Sequence, residues 1–232
     1  VVDALKNSEL QNGDIIISID KNKIETLSES LKNYSIASNE KTTLKNIASK
    51  IIRTNNNFSV VEILRKGKKV TLKINTINSF QKINMQKFSY EINNNIGYIN
   101  AETADKKEID SLLRKWNSKK SIIIDLRQYP KENLAFLVSP YLHKKEFVGF
   151  QLSEAKLDFP GYFTEMEEYK FNIFEDRNYN GNVYVLVDEN TQSKAEFNAM
   201  VLQAYHKTKI IGSQTAGTDG SASQIILPGN YI

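Results

Sequence analysis

Apolar residues alternate with polar ones in short stretches over the first third of the chain, which indicates strands around one helix. Turn signals separate these stretches: Asn12-Gly13-Asp14 precedes the first strand, and Lys66-Gly67-Lys68 lies between two others. The elements that the pattern predicts are a strand over 15–19, a helix over 41–53, and strands over 60–64 and 70–74. We therefore predict a small β-rich module in this part of the chain.

From residue 81 onward the pattern becomes that of an α/β domain. Continuous apolar runs at 121–126 and 183–187 are typical of strands that are buried on both faces of a parallel sheet. The aromatic-rich stretch 144–181 shows no regular period, and we expect irregular structure there. The remaining predicted elements are strands over 88–92, 96–99 and 210–212, and helices over 106–116, 133–142 and 196–206. This alternation predicts a largely parallel sheet.

Composition excludes several kinds of chemistry. The 232 residues include no cysteine, which excludes a disulfide framework, a cysteine-ligated metal or iron–sulfur cluster, and a cysteine nucleophile. The chain has two histidines, His143 and His206, so it cannot supply a three-histidine metal site. The stretch 212–220 contains three glycines but lacks the Gly-Lys-Ser/Thr ending of a phosphate-binding loop. We expect no metal and no cofactor.

The net charge of +4 is distributed unevenly along the chain. Residues 1–80 contain 13 lysines and arginines against 8 aspartates and glutamates, whereas residues 81–232 are close to neutral. A basic excess dispersed among acidic residues is weak evidence for a nucleic-acid partner, which requires a clustered basic face. The longest apolar runs are far shorter than the ~18 residues of a spanning helix. We therefore predict no nucleic-acid partner and no transmembrane segment.

One segment combines a buried strand with a candidate nucleophile. The apolar run at 183–187 ends in a polar loop, and a helix is expected to start near Ser193. In open α/β sheets, ligands bind beyond the carboxyl ends of such strands. The dipole and the free N–H groups of a helix N-terminus stabilise developing negative charge, which favours a nucleophilic serine there. Ser193 and Glu196 also fit an ordinary capping box, so the residues alone leave both interpretations open.

Residues 185–197 resemble the nucleophile motif of the C-terminal processing peptidases, also called tail-specific proteases. The family pattern is roughly Leu-Val-Asn-Glu-x-Thr-x-Ser-x-x-Glu, which maps the nucleophile onto Ser193. Four further stretches resemble family motifs in the same order. Residues 10–16 resemble the Leu-x-x-Gly-Asp-x-Ile segment of a PDZ domain, and residues 96–99 resemble the strand that opens the catalytic core. Residues 123–130 resemble the Asp-Leu-Arg-Asn-x-Pro stretch, and residues 210–217 resemble the Val-Gly-Glu-x-Thr-x-Gly stretch.

The resemblance implies a fold with two domains. A PDZ-like domain would occupy residues 1–78, and an α/β peptidase core of the crotonase-like (ClpP/crotonase) type would occupy residues 81–232. Too few residues precede the Gly13-Asp14 turn for a complete PDZ domain, and the chain opens with Val1 rather than methionine. We therefore expect a fragment truncated at both ends, with the PDZ-like domain incomplete at its N-terminus and the core incomplete at its C-terminus.

The resemblance also implies an activity and a site. It implies a serine endopeptidase that cleaves peptide or unfolded protein substrates through an acyl-enzyme on Ser193, with the PDZ-like domain recognising the substrate. The backbone N–H groups of Lys194 and Lys131 would form the oxyanion hole, and Lys131 stands where the family has glycine. Asp125 and Arg127 would support the loop that carries Lys131.

The chain departs from the best-known family members at the general base. Their catalytic lysine falls here on Thr218 or Asp219, and neither is a suitable base for a serine hydroxyl. The chain is therefore closer to a second branch, similar to the tricorn core protease, in which a histidine from before the PDZ domain is the base. His206 is too far along the predicted helix to reach Ser193, and we expect His143 to be a surface residue.

The missing lysine leaves an alternative open: a catalytically inactive protein that binds peptides or acts as a scaffold on the same fold. In both cases the expected partner is a peptide or protein substrate or ligand, and the oligomeric state stays open. Relatives are mostly exported, so the resemblance implies a periplasmic or cell-envelope location.

Overall fold

The computed structural model describes residues 9–76, 88–156, 158–173, 178–220 and 228. The chain divides into two compact units, unit 1 over residues 1–86 and unit 2 over residues 87–232. Unit 1 contains β1 (Ile15–Ile19), β2 (Asn22–Lys23), α1 (Ile24–Lys32), α2 (Glu40–Ile51), β3 (Phe58–Arg65) and β4 (Lys68–Asn75). Unit 2 contains β5 (Tyr90–Asn93), β6 (Ile96–Asn100), α3 (Lys106–Lys115), β7 (Ser121–Asp125), α4 (Leu134–Leu142), β8 (Phe147–Ala155), β9 (Phe163–Phe171), β10 (Asn182–Val187), α5 (Lys194–Gln203) and β11 (Thr208–Gly212).

Unit 1 is built on a four-stranded antiparallel sheet in the order β2-β1-β3-β4. β3 and β4 form a hairpin whose two-residue turn, Lys66 and Gly67, has positive φ at both positions. Side chains buried along β3 alternate with exposed ones, since Ser59, Val61 and Ile63 share one face. The predicted elements omit α1, although its half-buried Ile24, Leu27 and Leu31 recur at the spacing of one helix face.

Unit 2 contains a five-stranded sheet in the order β11-β10-β7-β6-β5. Strands β6, β7, β10 and β11 are parallel, and β5 is antiparallel to β6. The register places Asp125, at the end of β7, beside Leu186 of β10 and Asn100 of β6. The loops that follow these parallel strands therefore leave the sheet at one edge, and the predicted α/β class is confirmed.

The core of unit 2 joins this sheet to α3, α4 and α5. Buried residues of β7 alternate with half-buried ones, so neither face of this strand is open to solvent. That burial explains the continuous apolar run in the sequence. Trp116, directly after α3, is 1% exposed and packs in the same apolar cluster as Ile124 of β7 and Val185 of β10.

The expectation of irregular structure over residues 144–181 was wrong, because this stretch contains the β8–β9 hairpin. The pairing runs from Phe147 opposite Phe171 to Ala155 opposite Phe163. Two register shifts interrupt it and most of its side chains are exposed, so the sequence shows no period of two. One cluster of mutually packed rings anchors the base of the hairpin; it comprises Phe136, Phe147, Phe150, Tyr169, Phe171 and Phe197.

α5 begins and ends earlier than the sequence pattern predicts. It starts at Lys194 and stops at Gln203, so His206 lies beyond the helix in the turn that leads to β11. Across the described parts of the chain, no helix has both the length and the apolar character that crossing a membrane requires.

Candidate active site

Ser193 occupies the turn between β10 and α5, at the edge of the sheet where the parallel strands end. Two hydrogen bonds close the loop before it: Thr191 N–H donates to the Asp188 carbonyl at 2.9 Å, and Asp188 N–H donates to Thr191 Oγ1 at 3.0 Å. Thr191 is fully buried, and its hydroxyl donates to the carbonyl of Leu126, after β7, at 2.9 Å. The loops that follow β7 and β10 are thus fixed against each other.

The backbone of Ser193 is strained. Its φ of 52° and ψ of −123° lie in a region that residues other than glycine rarely adopt. Strain of this kind costs of the order of 1–3 kcal/mol and is concentrated at active sites. A sharp, strained strand-to-helix turn is also how α/β-hydrolases expose a nucleophilic serine at the top of their sheet.

Glu196 joins the serine turn to the loop that follows β11. Its carboxylate accepts the N–H of Ser193 at 3.1 Å, which is one half of a capping box, and the N–H groups of Gly217 and Thr218 at 2.7 and 2.9 Å. Burial alone would raise the pKa of Glu196, but hydrogen bonds from Thr215 and from these backbone groups outweigh it and hold the pKa below its ordinary value. An ionised Glu196 therefore holds both segments.

The loop after β11 carries Thr218 and Asp219, where the resemblance leads us to expect the family lysine. Thr218 and Asp219 are exposed, and Thr218 takes part in the site through its backbone N–H bond to Glu196. Burial of the carboxyl and the negative charge of Glu196 raise the pKa of Asp219. The loop therefore presents a hydroxyl and a carboxyl group at the position where the family lysine was expected.

A hydrogen-bonded network fixes the start of the loop after β7. Asp125, at the end of the strand, accepts hydrogen bonds from Tyr98 Oη at 2.6 Å and from Arg127 Nη2 and Nε at 2.7 and 3.0 Å. Burial would raise the pKa of Asp125, but these donors outweigh it and keep the pKa below its ordinary value. Burial and the Asp125 carboxylate raise the pKa of Tyr98, and hydrogen bonding to Asp125 raises that of Arg127. The Asp125 carboxylate and the Arg127 guanidinium thus form an ionised pair, to which the neutral Tyr98 hydroxyl donates.

Lys194 and Lys131 are brought together, although through the side chain of one and the backbone of the other. Lys194 Nζ donates to the carbonyls of Pro130 and Lys131 at 3.2 and 3.3 Å and lies 5.2 Å from the centre of the Tyr129 ring. The backbone N–H of Lys131 donates to the carbonyl of Ala101 at 2.9 Å. The second expected oxyanion donor is therefore engaged within the protein in this conformation.

Both histidines lie at the opposite edge of the sheet, where the parallel strands begin. With Tyr179 and Tyr205 they line a cavity of about 340 Å³. The expectation of a surface position for His143 was wrong, because its ring is half-buried and stacks on Phe147 at a centroid distance of 3.5 Å. Burial, followed by the proximity of His206, lowers the pKa of His143 to about 4. Neither histidine is near the serine turn.

Sequence reasoning missed several residues of this edge. Glu196 was seen as a capping residue, and its bonds to the loop after β11 become visible once α5 and β11 are packed. Tyr98 reaches Asp125 across paired strands, a contact that depends on their register. Asn198, fully buried on α5, accepts the N–H of Ala135 at 2.8 Å. Of these residues, Asn198 is the one that the sequence could have revealed, because it is an asparagine among the apolar residues of a predicted helix.

Comparison with known proteins identifies related sequences and folds. Residues 95–232 match the model of peptidase family S41. No curated protein is similar enough to this sequence to count as a match. No group of three or more histidine, cysteine or carboxylate side chains in the described segments is arranged to hold a metal ion.

Several solved structures share the fold. A serine-to-alanine mutant of CPAF has a TM-score of 0.71 at 13% identity, over 98% of this chain and 68% of that one. Mature CPAF complexed with lactacystin has a TM-score of 0.68 at 12% identity, over 97% and 68%. A putative peptidase from Parabacteroides merdae has a TM-score of 0.54 at 15% identity, over 61% of this chain and 47% of its own. The chain thus spans about two thirds or less of these proteins.

Proposed function

Because the chain belongs to peptidase family S41, a family of serine peptidases, we propose that it is a serine endopeptidase that cleaves peptide or unfolded protein substrates. The single observation that carries the assignment to Ser193 is its strained backbone in the turn between β10 and α5. An ordinary capping serine needs no such strain, since N-cap residues normally take an extended backbone. Asn39 and Asp105, which cap α2 and α3, do so here.

The proposed reaction proceeds through an acyl-enzyme. Ser193 Oγ attacks the carbonyl carbon of the scissile peptide while its proton passes to the general base. The N–H of Lys194, in the first turn of α5, stabilises the oxyanion. The N–H of Lys131 becomes the second donor to the oxyanion once its hydrogen bond to the carbonyl of Ala101 is broken. The C–N bond then breaks and the departing amine takes the proton. Water hydrolyses the resulting ester by the same steps and restores Ser193.

We assign the general base to a histidine outside these 232 residues, oriented by a glutamate that is also outside them. The position of both histidines at the far edge of the sheet supports this assignment, as does the absence of an amine at Thr218 and Asp219. Asp125, Arg127 and Tyr98 act as supports of the loop before Lys131, because their charges and donors are already satisfied by one another.

The proposed fold assignment has two domains: a PDZ-like domain over 1–78 that recognises substrate, and a crotonase-like core over 81–232. The antiparallel sheet of unit 1 and the parallel sheet of unit 2 support this division. So does the similarity to CPAF, which extends over 97% of this chain. A periplasmic or cell-envelope location belongs to the same proposal.

An inactive peptide-binding protein is the second candidate. Two observations favour it: the hydrogen bond that occupies the N–H of Lys131, and the hydroxyl and carboxyl groups at Thr218 and Asp219. On this alternative the fold and the peptide-binding surface are retained without cleavage.

Digestion of casein, analysed by mass spectrometry, tests the proposal. The full-length protein should cleave casein, and Ser193→Ala should lower the rate more than about 1,000-fold. Ser118→Ala, at an exposed serine on the opposite edge of the sheet, is the matched control and should keep full activity. A fluorophosphonate probe should label Ser193 in the wild type. Folded protein that neither cleaves casein nor reacts with the probe would establish the inactive alternative.

A further inference from the structure

We infer that the Lys194 ammonium holds the Pro130–Lys131 peptide group in an orientation that keeps the second oxyanion donor engaged with Ala101. The inference rests on the proposed function of Ser193 and adds a restraint to it. Lys194 would thus have two separate roles in the site: its backbone N–H as an oxyanion donor, and its side chain as a positioning group that acts through Lys131.

The restraint follows from the geometry of a single peptide group. The carbonyl of Pro130 and the N–H of Lys131 belong to the same planar trans peptide and point in opposite directions. Lys194 Nζ binds that carbonyl at 3.2 Å, and Ala101 O accepts that N–H at 2.9 Å. Turning the N–H toward a substrate oxyanion by rotating the peptide would therefore break both contacts.

Hydrogen bonds at both ends of the loop that carries Lys131 restrict peptide rotation to the middle of that loop. We call residues 126–135 the donor loop. Its first carbonyl, that of Leu126, accepts the hydroxyl of buried Thr191, and its last N–H, that of Ala135, is accepted by buried Asn198. Both side chains belong to the segment that carries Ser193. Because both ends are fixed by buried hydrogen bonds, movement of the donor loop is confined to the peptides between them.

Lys131 itself opposes the rotation. Its φ is not positive here, whereas a peptide flip of the kind that relates type I and type II turns would bring φ into the left-handed region. For a residue other than glycine this disfavours the flipped form by about 5- to 30-fold. The Lys194 ammonium and the Lys131 side chain therefore favour the same orientation, and removing either should release the donor.

Amide hydrogen exchange in the full-length protein tests the restraint without any need for activity. Lys194→Met keeps the length of the side chain and removes the ammonium. We expect exchange of the Lys131 amide to become about 5- to 10-fold faster, the value of one hydrogen bond. Lys194→Arg, which keeps a cation, should stay within about twofold of the wild type. Lys209→Met, at an exposed lysine of β11, controls for the loss of charge and should have no effect on this amide. Unchanged exchange in Lys194→Met would overturn the inference.

Labelling of Ser193 by a fluorophosphonate then gives the sign of the effect. In this reaction Ser193 Oγ bonds to phosphorus, fluoride leaves and the proton passes to the general base. We expect the labelling rate to rise several-fold in both Lys194→Met and Lys131→Gly. A rate that falls in both variants would overturn the inferred effect of the restraint on the oxyanion donor, because it would show that the present orientation is the productive one. Absence of labelling in every variant would contradict the proposed function, and the exchange of the Lys131 amide would still decide the restraint.

Discussion

Unit 1 and unit 2 differ most in how much apolar surface they bury. Among the described residues, the buried apolar side chains of unit 1 are Ile47, Val61 and Ile63, whereas unit 2 has 25. Large apolar side chains of unit 1 stay exposed, including Tyr34 at 76% and Ile36 at 84%. Fully burying an apolar side chain of the size of valine or larger contributes about 1.5–3 kcal/mol. Unit 2 therefore has by far the larger apolar contribution to its stability, and the candidate site lies on it.

Each unit also contains an Asp–Arg ion pair, and the two pairs join residues at very different separations along the chain. In unit 1, Asp14 accepts two hydrogen bonds of 2.7 Å from Arg65, 51 positions away, and these bonds are the main reason that the pKa of Asp14 is lowered to about 2. In unit 2, Asp125 binds Arg127, two positions away. The first pair joins distant segments where the core is small. The second shapes a loop on a core that already joins its elements.

The largest expected effect separates the two cores. Ile124→Ala removes a fully buried side chain from β7 and should lower the free energy of unfolding of unit 2 by about 3–5 kcal/mol, because the surrounding residues cannot fill the cavity. Trp116 is the only tryptophan of the chain and is buried in unit 2, so its fluorescence during urea denaturation reports on this unit.

Ile63→Ala, at an equally buried position of β3, is the matched variant in unit 1. It should change the Trp116 transition by less than about 0.5 kcal/mol, as expected for sites in units that unfold independently. If both variants shifted the Trp116 midpoint equally, the two units would unfold as one, and the contrast between their cores would have no consequence for stability.

Two glycines distinguish packing from backbone conformation. A Cβ added at Gly97 of β6 would lie 2.3 Å from the Trp116 ring, so Gly97→Ala should destabilise unit 2 by about 1–3 kcal/mol and shift the Trp116 emission. At Gly67, in the β3–β4 turn, a Cβ would meet no atom within 4 Å, but φ is +79°. Gly67→Ala should therefore cost about 1 kcal/mol in unit 1. Unchanged emission and stability in Gly97→Ala would mean that the Trp116 ring yields without cost.

The same contrast explains which parts of the fold were predictable from sequence. β7 and β10 are enclosed by the core, and their burial leaves a continuous apolar signal in the sequence. The β8–β9 hairpin was missed because most of its side chains are exposed and its pairing shifts register. α1 was missed although Ile24, Leu27 and Leu31 recur at helical spacing. The resemblance to the C-terminal processing peptidases is confirmed by the match to the model of peptidase family S41. The motifs that carry this resemblance lie in loops next to buried strands.

The candidate site was predictable only where its chemistry is local. The position of Ser193 before a helix followed from the strand–loop–helix pattern, and its catalytic role stays a prediction. The bond between Lys194 Nζ and Pro130 joins residues 64 positions apart, and so depends on how α5 packs beside the donor loop. The N–H of Lys131 was expected in the oxyanion hole, and the sequence does not reveal that the carbonyl of Ala101 lies within hydrogen-bonding distance of it.

The smallest expected effect is a pH dependence due to histidine, which unit 1 lacks because both histidines are in unit 2. The pKa of His143 is lowered from about 6.5 to about 4, so the folded state binds its proton less readily than the unfolded state does. The contribution of His143 to the free energy of unfolding is complete above pH 6.5 and is lost as the pH falls toward 4. The full shift would correspond to about 3 kcal/mol. Since the ring is only half-buried, we expect about 1 kcal/mol.

His143→Phe keeps the stacking on Phe147 and cannot titrate, so the Trp116 unfolding transition of this variant should depend less on pH between 6.5 and 4.5. The lower limit of that range matters, because Asp14 in unit 1 and Asp125 in unit 2 also have lowered pKa values. Their contributions are lost only at more acidic pH, as each carboxylate is protonated. If His143→Phe showed the same slope as the wild type over this range, another group of unit 2 would have to be responsible, and His206, on the same cavity, would be the next to replace.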